Sequence, residues 1–202
     1  EKESSAEFRK RGATDEVVRQ MLSSSRIVAK MAECALAEQV RIEAEEEKAR
    51  VTGKTYLVHV PSDSTVEGLV RAVGGEETEL GLAAVHFKNL GKTGSDELLL
   101  IHSDDLDGLE HMTDAVGLLK WRGLESAEIG QFLVFVREKP DLNLSLPIVV
   151  LGSQATFDNA QHWCPGLCSG RLGLYRLGGG PFPVEFKNPC WFLVRKITEP
   201  SK

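Results

Sequence analysis

LPIVVLGSQATFDNAQHWCPGLCSGRLGLYRLGGGPFPVEFKNPCWFLVRK, residues 146–196, is the stretch that decides the fold. Its two ends, 146–153 and 192–196, are apolar and of strand length, which is typical of strands buried in a core. Between them Trp, Cys, Gly, Pro, Tyr and Arg follow no clear period. We therefore expect two core strands that bracket a chemically diverse, loop-rich segment.

The composition sets limits on the class of protein. A chain of 202 residues suffices for one domain, with or without an appendage. Its formal net charge of −6 at pH 7 offers no general basic field, so we predict no nucleic-acid partner. No apolar run reaches the roughly 18 residues of a membrane span, and none is predicted. Four cysteines are too few for a disulfide-built scaffold, so a cytoplasmic location is the default, with display on a cell surface or a phage-like particle left open.

A long helix is predicted at the N-terminal end, because no proline or glycine occurs between Thr14 and Arg50. Thr14 can cap its start, and Gly53 ends it. We interpret residues 1–53 as a helical arm that packs on a partner helix or on the downstream domain, and through which the chain could form a homo-oligomer. A seam with alternating steps of four and three residues supports this, formed by Val17, Met21, Ser24, Val28, Met31, Ala35, Glu38 and Ile42.

Residues 54–202 mix helical and strand patterns, which predicts a separate α+β domain. Ser62 or Ser64 can cap the first helix of this domain, and Trp121 is expected to point inward from the second. We expect extended segments at 54–61, 78–88 and 97–102. We expect helices at 62–74, 109–123 and 126–140.

Several motifs look like chemical sites but fit them poorly. The sequence Gly91-Lys92-Thr93 lacks the first glycine of a phosphate-binding loop, because His86 stands in its place. The acidic stretch 103–114 starts with serine and ends with aspartate, unlike a calcium-binding loop. The five histidines are scattered, without the spacing of a metal-binding helix. We therefore predict no metal and no cofactor.

The cysteines near the C-terminus fit more than one kind of site. Cys164, Cys168 and Cys190 could form a thiolate metal site with His162, although the C-x-x-C spacing of zinc sites is missing. The same cysteines could instead form a local disulfide or supply a nucleophile paired with His162. Cys34, on the long helix, is interpreted as a small apolar residue.

Three stretches carry a family resemblance. They are AEIGQFLVFVREKPDLNLSLPIVVLGS at 127–153, CPGLCSGRLGLYRL at 164–177 and CWFLVRK at 190–196. Together they resemble the variable proteins of diversity-generating retroelements, and AAVHFK at 83–88 is similar to a strand that precedes the paired helices of that family. The likeness covers residues 55–202 and leaves the helical arm outside.

The resemblance implies a C-type-lectin-like fold of the formylglycine-generating-enzyme branch, without enzymatic activity. It also implies a hypervariable region, at about 154–191, that is rewritten by reverse transcription and binds a macromolecular ligand, with a protein favoured. The period of two predicts that Leu172 and Leu174 point to the core and their neighbours point outward. The candidate ligand-binding residues are Trp163, Cys164, Gly166, Cys168, Ser169, Gly173, Tyr175, Arg176, Lys187, Asn188, Cys190 and Trp191.

Two other functions compete with ligand binding. One is a cysteine enzyme of the formylglycine-generating type that uses Cys164, Cys168 or Cys190, which requires a reactive thiol of low pKa. The other is a structural or assembly protein that acts through its N-terminal helix. The favoured fold class is thus α+β, a C-type-lectin-like domain with a loop-rich C-terminal ligand-binding surface, preceded by a long helix.

Overall fold

The computed structural model describes residues 17, 25–142, 144–156, 161–179, 182–183 and 189–197, and it divides into two units, up to Glu46 and from Glu47 onward. Strands and helices in the second unit confirm a mixed α+β class. The helices are α1 (Ser25–Val51), α2 (Val66–Ala72), α3 (Glu79–Leu82), α4 (Asp114–Trp121) and α5 (Ile129–Glu138). As predicted, none of the helices in the described residues is long and apolar enough to cross a membrane.

The predicted N-terminal helix is confirmed over the range of α1, and Val17 is also helical. Of the predicted seam, Met21 and Ser24 lie outside the described residues. Val28 and Ile42 are 43% and 38% exposed, so these two seam positions have apolar surface that faces solvent. The last five residues of α1 belong to the second unit.

The described strands form one open sheet in the order β1-β2-β9-β4-β6-β7-β8, with β3 paired to β9 and β5 paired to β6. Neighbours are antiparallel except β4 and β9, which run parallel. The strands are β1 (Thr55–Val60), β2 (Gly94–His102), β3 (Leu124–Ser126), β4 (Ile148–Val149), β5 (Ala155–Thr156), β6 (Gln161–Cys168), β7 (Arg171–Gly179), β8 (Phe182–Pro183) and β9 (Trp191–Lys196).

Strand β9 lies in the middle of the sheet, between β2 and β4, and is buried on both faces. Trp191 and Leu193 pack into the core cluster on one face, together with α5 and β1. Phe192 and Val194 pack into the cluster on the other face, together with α4. Alternate side chains of a strand point to opposite faces, so a nearly continuous apolar run is what a doubly covered strand requires. The predicted core strands at 146–153 and 192–196 are confirmed in β4 and β9, although β4 is shorter than expected.

Residues 78–88 are not extended, contrary to the prediction. Thr78 caps the short helix α3, because its Oγ1 accepts the backbone N–H of Gly81 at 3.1 Å. A 3₁₀ turn over Ala84–His86 follows. Leu80, Ala84 and Phe87 are buried, and their spacing of four and three suits helical turns better than a strand. The strand that the family resemblance placed at 83–88 is therefore absent.

Two details of the predicted helices also need correction. Helix α2 is capped by Thr65, whose Oγ1 accepts the backbone N–H of Gly68 at 3.0 Å, rather than by Ser62 or Ser64. Trp121 is 84% exposed instead of pointing inward, because it is the last residue of α4. Leu119, on the same helix, supplies the core contact instead.

A buried carboxylate connects the end of α1 to the central strand. Glu47 is 7% exposed, and its Oε1 accepts the indole N–H of Trp191 at 2.9 Å. Its Oε2 accepts the backbone N–H of Ser145 at 2.6 Å. The His102 ring packs edge-on against Trp191, with the centroids 4.9 Å apart. Burial lowers the pKa of His102, which favours the neutral ring whose Nδ1 accepts the backbone N–H of Asp104.

We predict that Glu47→Ala lowers the free energy of unfolding by about 2–3 kcal/mol, because it leaves the buried Trp191 N–H without an acceptor. Urea denaturation followed by tryptophan fluorescence measures the effect. Glu46→Ala, at an exposed position next to it, is the matched control and should change stability by less than about 0.5 kcal/mol. Equal losses in the two variants would contradict a structural role for the Glu47 carboxylate.

Candidate functional site

The segment expected to be rich in loops contains a long hairpin formed by β6 and β7. The two strands are joined by Ser169 and Gly170, between the paired residues Cys168 and Arg171. Ser169 has φ +49° and Gly170 has φ +74°, which is the pattern of a type I′ turn. Asn and Gly favour this conformation, whereas Ser at a positive φ costs about 1–2 kcal/mol. Ser169 is thus less stable in this turn than Asn or Gly would be.

One face of the hairpin packs on the core as predicted. Leu172 is buried in the first core cluster, and Leu174 packs against that cluster. Leu167, directly opposite Leu172 on β6, does the same.

The other face of the hairpin is covered too, so part of the expected outward set is wrong. Cys164 is fully buried in the second core cluster, and Tyr175, opposite it, packs against the same cluster. Leu106 and Leu119 belong to that cluster and supply the cover. An outward-pointing residue remains exposed only where no second layer lies above it, and here a second layer is present.

Gly166 also cannot belong to a variable surface. A Cβ atom at this position would lie 2.5 Å from the Tyr175 ring and 2.6 Å from the Ile148 carbonyl oxygen, well inside van der Waals contact. Gly173 lies directly opposite Gly166, yet a Cβ there would meet only Glu79, at 3.7 Å. The two paired glycines therefore differ sharply in what they tolerate.

Of the four candidate ligand-binding residues nearest the C-terminus, two lie in the core and two lie outside the described residues. Cys190 and Trp191 are buried at 2% and 0% exposure, in the core and at the start of the central strand, so the expectation that they face outward is wrong. Lys187 and Asn188 lie outside the described residues.

Two exposed patches remain on the hairpin, one at each end. The tip patch consists of Cys168, Ser169 and Arg171, all exposed. The open-end patch consists of His162, Trp163 and Arg176, of which His162 and Arg176 are exposed and Trp163 is half-buried. Trp163 pairs directly with Arg176. Five residue steps along β6, from Trp163 to Cys168, separate the two patches by about 16 Å. From the sequence His162 is a candidate as a metal ligand or as the partner of a nucleophilic cysteine, and the structure adds it to this surface.

A cleft of about 510 Å³ adjoins the open-end patch. Thr156 lines the cleft, and its Oγ1 lies 3.1 Å from Nδ1 of His162, so the patch and the cleft meet at this contact. No sequence pattern indicates this cleft, because one wall belongs to the stretch at 78–88 that is predicted as a strand. We call this cleft of about 510 Å³ the main cleft. It is lined by Val85, His86, Phe87, Lys88, Asn89, Gly91, Glu128, Gly152, Ser153, Gln154 and Thr156.

The four cysteines are all free thiols, so the local disulfide is excluded in this structure. Burial raises the pKa of the Cys164 thiol far above its usual range and that of Cys190 to about 12. The Cys164 Sγ donates a hydrogen bond to the Tyr175 carbonyl oxygen at 3.5 Å. Burial also raises the pKa of the Tyr175 phenol, and its hydrogen bond with Cys168 adds to this. A cysteine nucleophile needs a lowered pKa, which is the opposite of what burial does at Cys164 and Cys190.

Metal binding finds no support in the described part of the chain, where no group of three or more His, Cys, Asp or Glu side chains has an arrangement that could hold an ion.

We predict that Gly166→Ala destabilises the protein by about 3 kcal/mol, because the added methyl group forces the Tyr175 ring and the β4 backbone apart. Gly173→Ala is the matched variant on the opposite strand and should be neutral within about 0.5 kcal/mol. Thermal unfolding measured by circular dichroism compares the two. A harmless Gly166→Ala would mean that the hairpin does not pack on β4 as described.

We predict that a thiol reagent such as dithionitrobenzoate at pH 8 labels Cys34 and Cys168 rapidly, because both are exposed. Cys164 and Cys190 should react only when the protein unfolds, since burial keeps them protonated and inaccessible. Single serine variants at Cys34 and Cys168 should each remove one fast equivalent. Fast labelling of Cys164 or Cys190 in the native protein would contradict their burial and support a nucleophilic role for the residue that reacts.

The site that the residues build is therefore a polar cleft beside a half-buried tryptophan and an exposed arginine. Trp163 and Arg176 lie on the same hairpin as Cys164, Leu172 and Leu177, which belong to the core. In comparisons with known proteins, no family model, no curated protein and no solved structure matches this chain.

Proposed function

We propose that this chain is a non-enzymatic ligand-binding protein whose variable surface lies on the β6–β7 hairpin of a C-type-lectin-like scaffold, diversified by a retroelement. The observation that carries the proposal is the division within the hairpin between fixed and free positions. Leu172, Cys164 and Gly166 are locked into packing, whereas the open-end and tip patches contribute little to the core. A diversified surface needs this division, because substitutions at its positions must not unfold the protein.

The chemistry of the open-end patch suits recognition of a protein. Tryptophan and arginine are enriched among residues that dominate binding energy at interfaces, and here Trp163 and Arg176 pair directly on neighbouring strands. The adjoining cleft gives a partner a concave surface to fill. A patch on strands is also more rigid than one on loops, which lowers the entropy lost on binding.

The hairpin turn supports diversification as well. Natural proteins break local rules mostly where function demands it. Ser169 occupies a conformation that favours Asn or Gly, as expected at a position whose residue is set by diversification and not by local stability.

An assembly function is the second candidate, favoured by the exposed apolar residues of α1. Leu36 is 66% exposed, and Val28 and Ile42 are also exposed. Exposed apolar residues on a helix are typical of an element that packs on a partner. This function does not conflict with ligand binding, because these residues and the hairpin lie on different units of the chain.

We predict that sequencing the 3′ end of this gene across a population, together with a search for a nearby near-repeat, reveals substitutions concentrated at the codons of exposed hairpin residues. The expected variable positions are His162, Trp163, Cys168, Ser169, Arg171 and Arg176. Codons for buried residues serve as the internal control, and Cys164, Gly166, Leu172, Trp191 and Phe192 should stay unchanged. An invariant 3′ end without a near-repeat would remove the retroelement, and substitutions spread evenly over both sets would remove the assignment of this surface.

A further inference from the structure

A second cavity shares part of its lining with the main cleft. This smaller cavity has a volume of about 230 Å³, and Glu128 and Gly152 line both. We call the two cavities together the long groove. The smaller cavity is lined by Val116, Lys120, Glu125, Ser126, Glu128, Leu151, Gly152 and Arg195.

The carboxylates of the long groove already form hydrogen bonds or ion pairs within the protein. Glu128 caps helix α5 and also accepts the backbone N–H of Lys92. Glu125 pairs with Arg195, with Oε2 and Nη2 2.8 Å apart. Each negative charge is therefore balanced by donors within the protein, and neither is available to hold a cation from a ligand.

The lysines of the long groove are not engaged in this way. Lys88 lines the main cleft and Lys120 lines the smaller cavity, and both are exposed. Neither forms an ion pair with another residue in the part of the chain that the structure describes. The groove thus carries uncompensated positive charge on a molecule whose net charge is −6.

The rest of the lining suits a polypeptide in extended form. Asn89, Ser153 and Gln154 provide hydrogen-bond donors and acceptors in the main cleft, which a peptide backbone can use. The two parts of the groove are adjacent, since Glu128 and Gly152 line both, so one ligand can contact both parts. Extended peptides bind through backbone hydrogen bonds and gain specificity from a few side-chain positions.

We propose that the long groove binds an extended acidic segment of a partner protein, with its carboxylates directed to Lys88 and Lys120. The inference rests on the proposed ligand-binding function and names the chemistry of the ligand. Electrostatic complementarity of this kind speeds association and excludes basic partners, and it weakens as salt rises.

The test starts from a random dodecapeptide library displayed on phage and selected against the full chain. The selected peptides should be rich in Asp and Glu, and the best of them, labelled with fluorescein, is titrated with the protein by fluorescence anisotropy. The double variant Lys88→Glu/Lys120→Glu should weaken binding at least tenfold at low salt. Lys30→Glu/Lys54→Glu makes the same change in net charge at exposed positions outside the groove lining and should weaken binding less than twofold.

Each other result overturns the groove proposal in a recognisable way. Selected peptides without acidic enrichment, an empty selection, or equal losses in the two double variants would each refute it. Peptides that lose binding in Trp163→Ala/Arg176→Ala but not in Lys88→Glu/Lys120→Glu would refute the groove and leave the hairpin surface as the ligand site. Peptides that bind all variants equally would refute both assignments.

Discussion

The contact between the Glu47 carboxylate and the Trp191 indole joins the end of α1 to the strand on which the whole sheet depends. Trp191 begins β9, which pairs with β2, β3 and β4, and its side chain is fully buried. Burying a carboxylate is costly unless its oxygens accept hydrogen bonds, and both oxygens of Glu47 do so. Because Ser145 lies three residues before β4, the same carboxylate also holds the segment that leads into β4.

The β6–β7 hairpin is connected to the central strand β9 through β4. Strand β6 pairs with β4, and β4 pairs with β9, so only one strand separates the hairpin from Trp191. The Tyr175 ring lies over Gly166 and closes the second face of the sheet. The exposed positions are held by strands whose register cannot slip by one residue without exposing Leu172 and burying Arg171.

Much of this fold could be predicted from the sequence, because core strands and amphipathic helices leave periodic patterns. Strands β1, β2 and β9 and helix α5 follow directly from such patterns. The segment at 78–88 is wrongly predicted as a strand, since a short apolar run does not distinguish a strand from helical turns. Thr78 at its start is the cap signal that could have decided the question.

The candidate site was harder to predict than the fold. The alternation of apolar residues along β7 correctly predicted that Leu172 faces the core. It could not reveal that the second core cluster covers Tyr175, because the sequence of one strand does not show what packs on its other face. Tryptophan is a common residue at binding surfaces, so Trp191 was expected to belong to one. Its buried indole instead donates a hydrogen bond to Glu47, which is so distant along the chain that no local pattern indicates the contact. The main cleft involves segments that meet only after folding, so no local pattern could indicate it.

Coverage of the hairpin on both faces has a consequence for any repertoire built on it. Few positions are left that can change freely, which limits how many distinct binding surfaces the scaffold can offer. In return, nearly every member of such a repertoire would reach the native state, since the altered side chains take no part in the core. Such a repertoire would therefore recognise fewer different ligands, but a larger fraction of its variants would fold. A larger repertoire would also have to vary residues of the cleft wall.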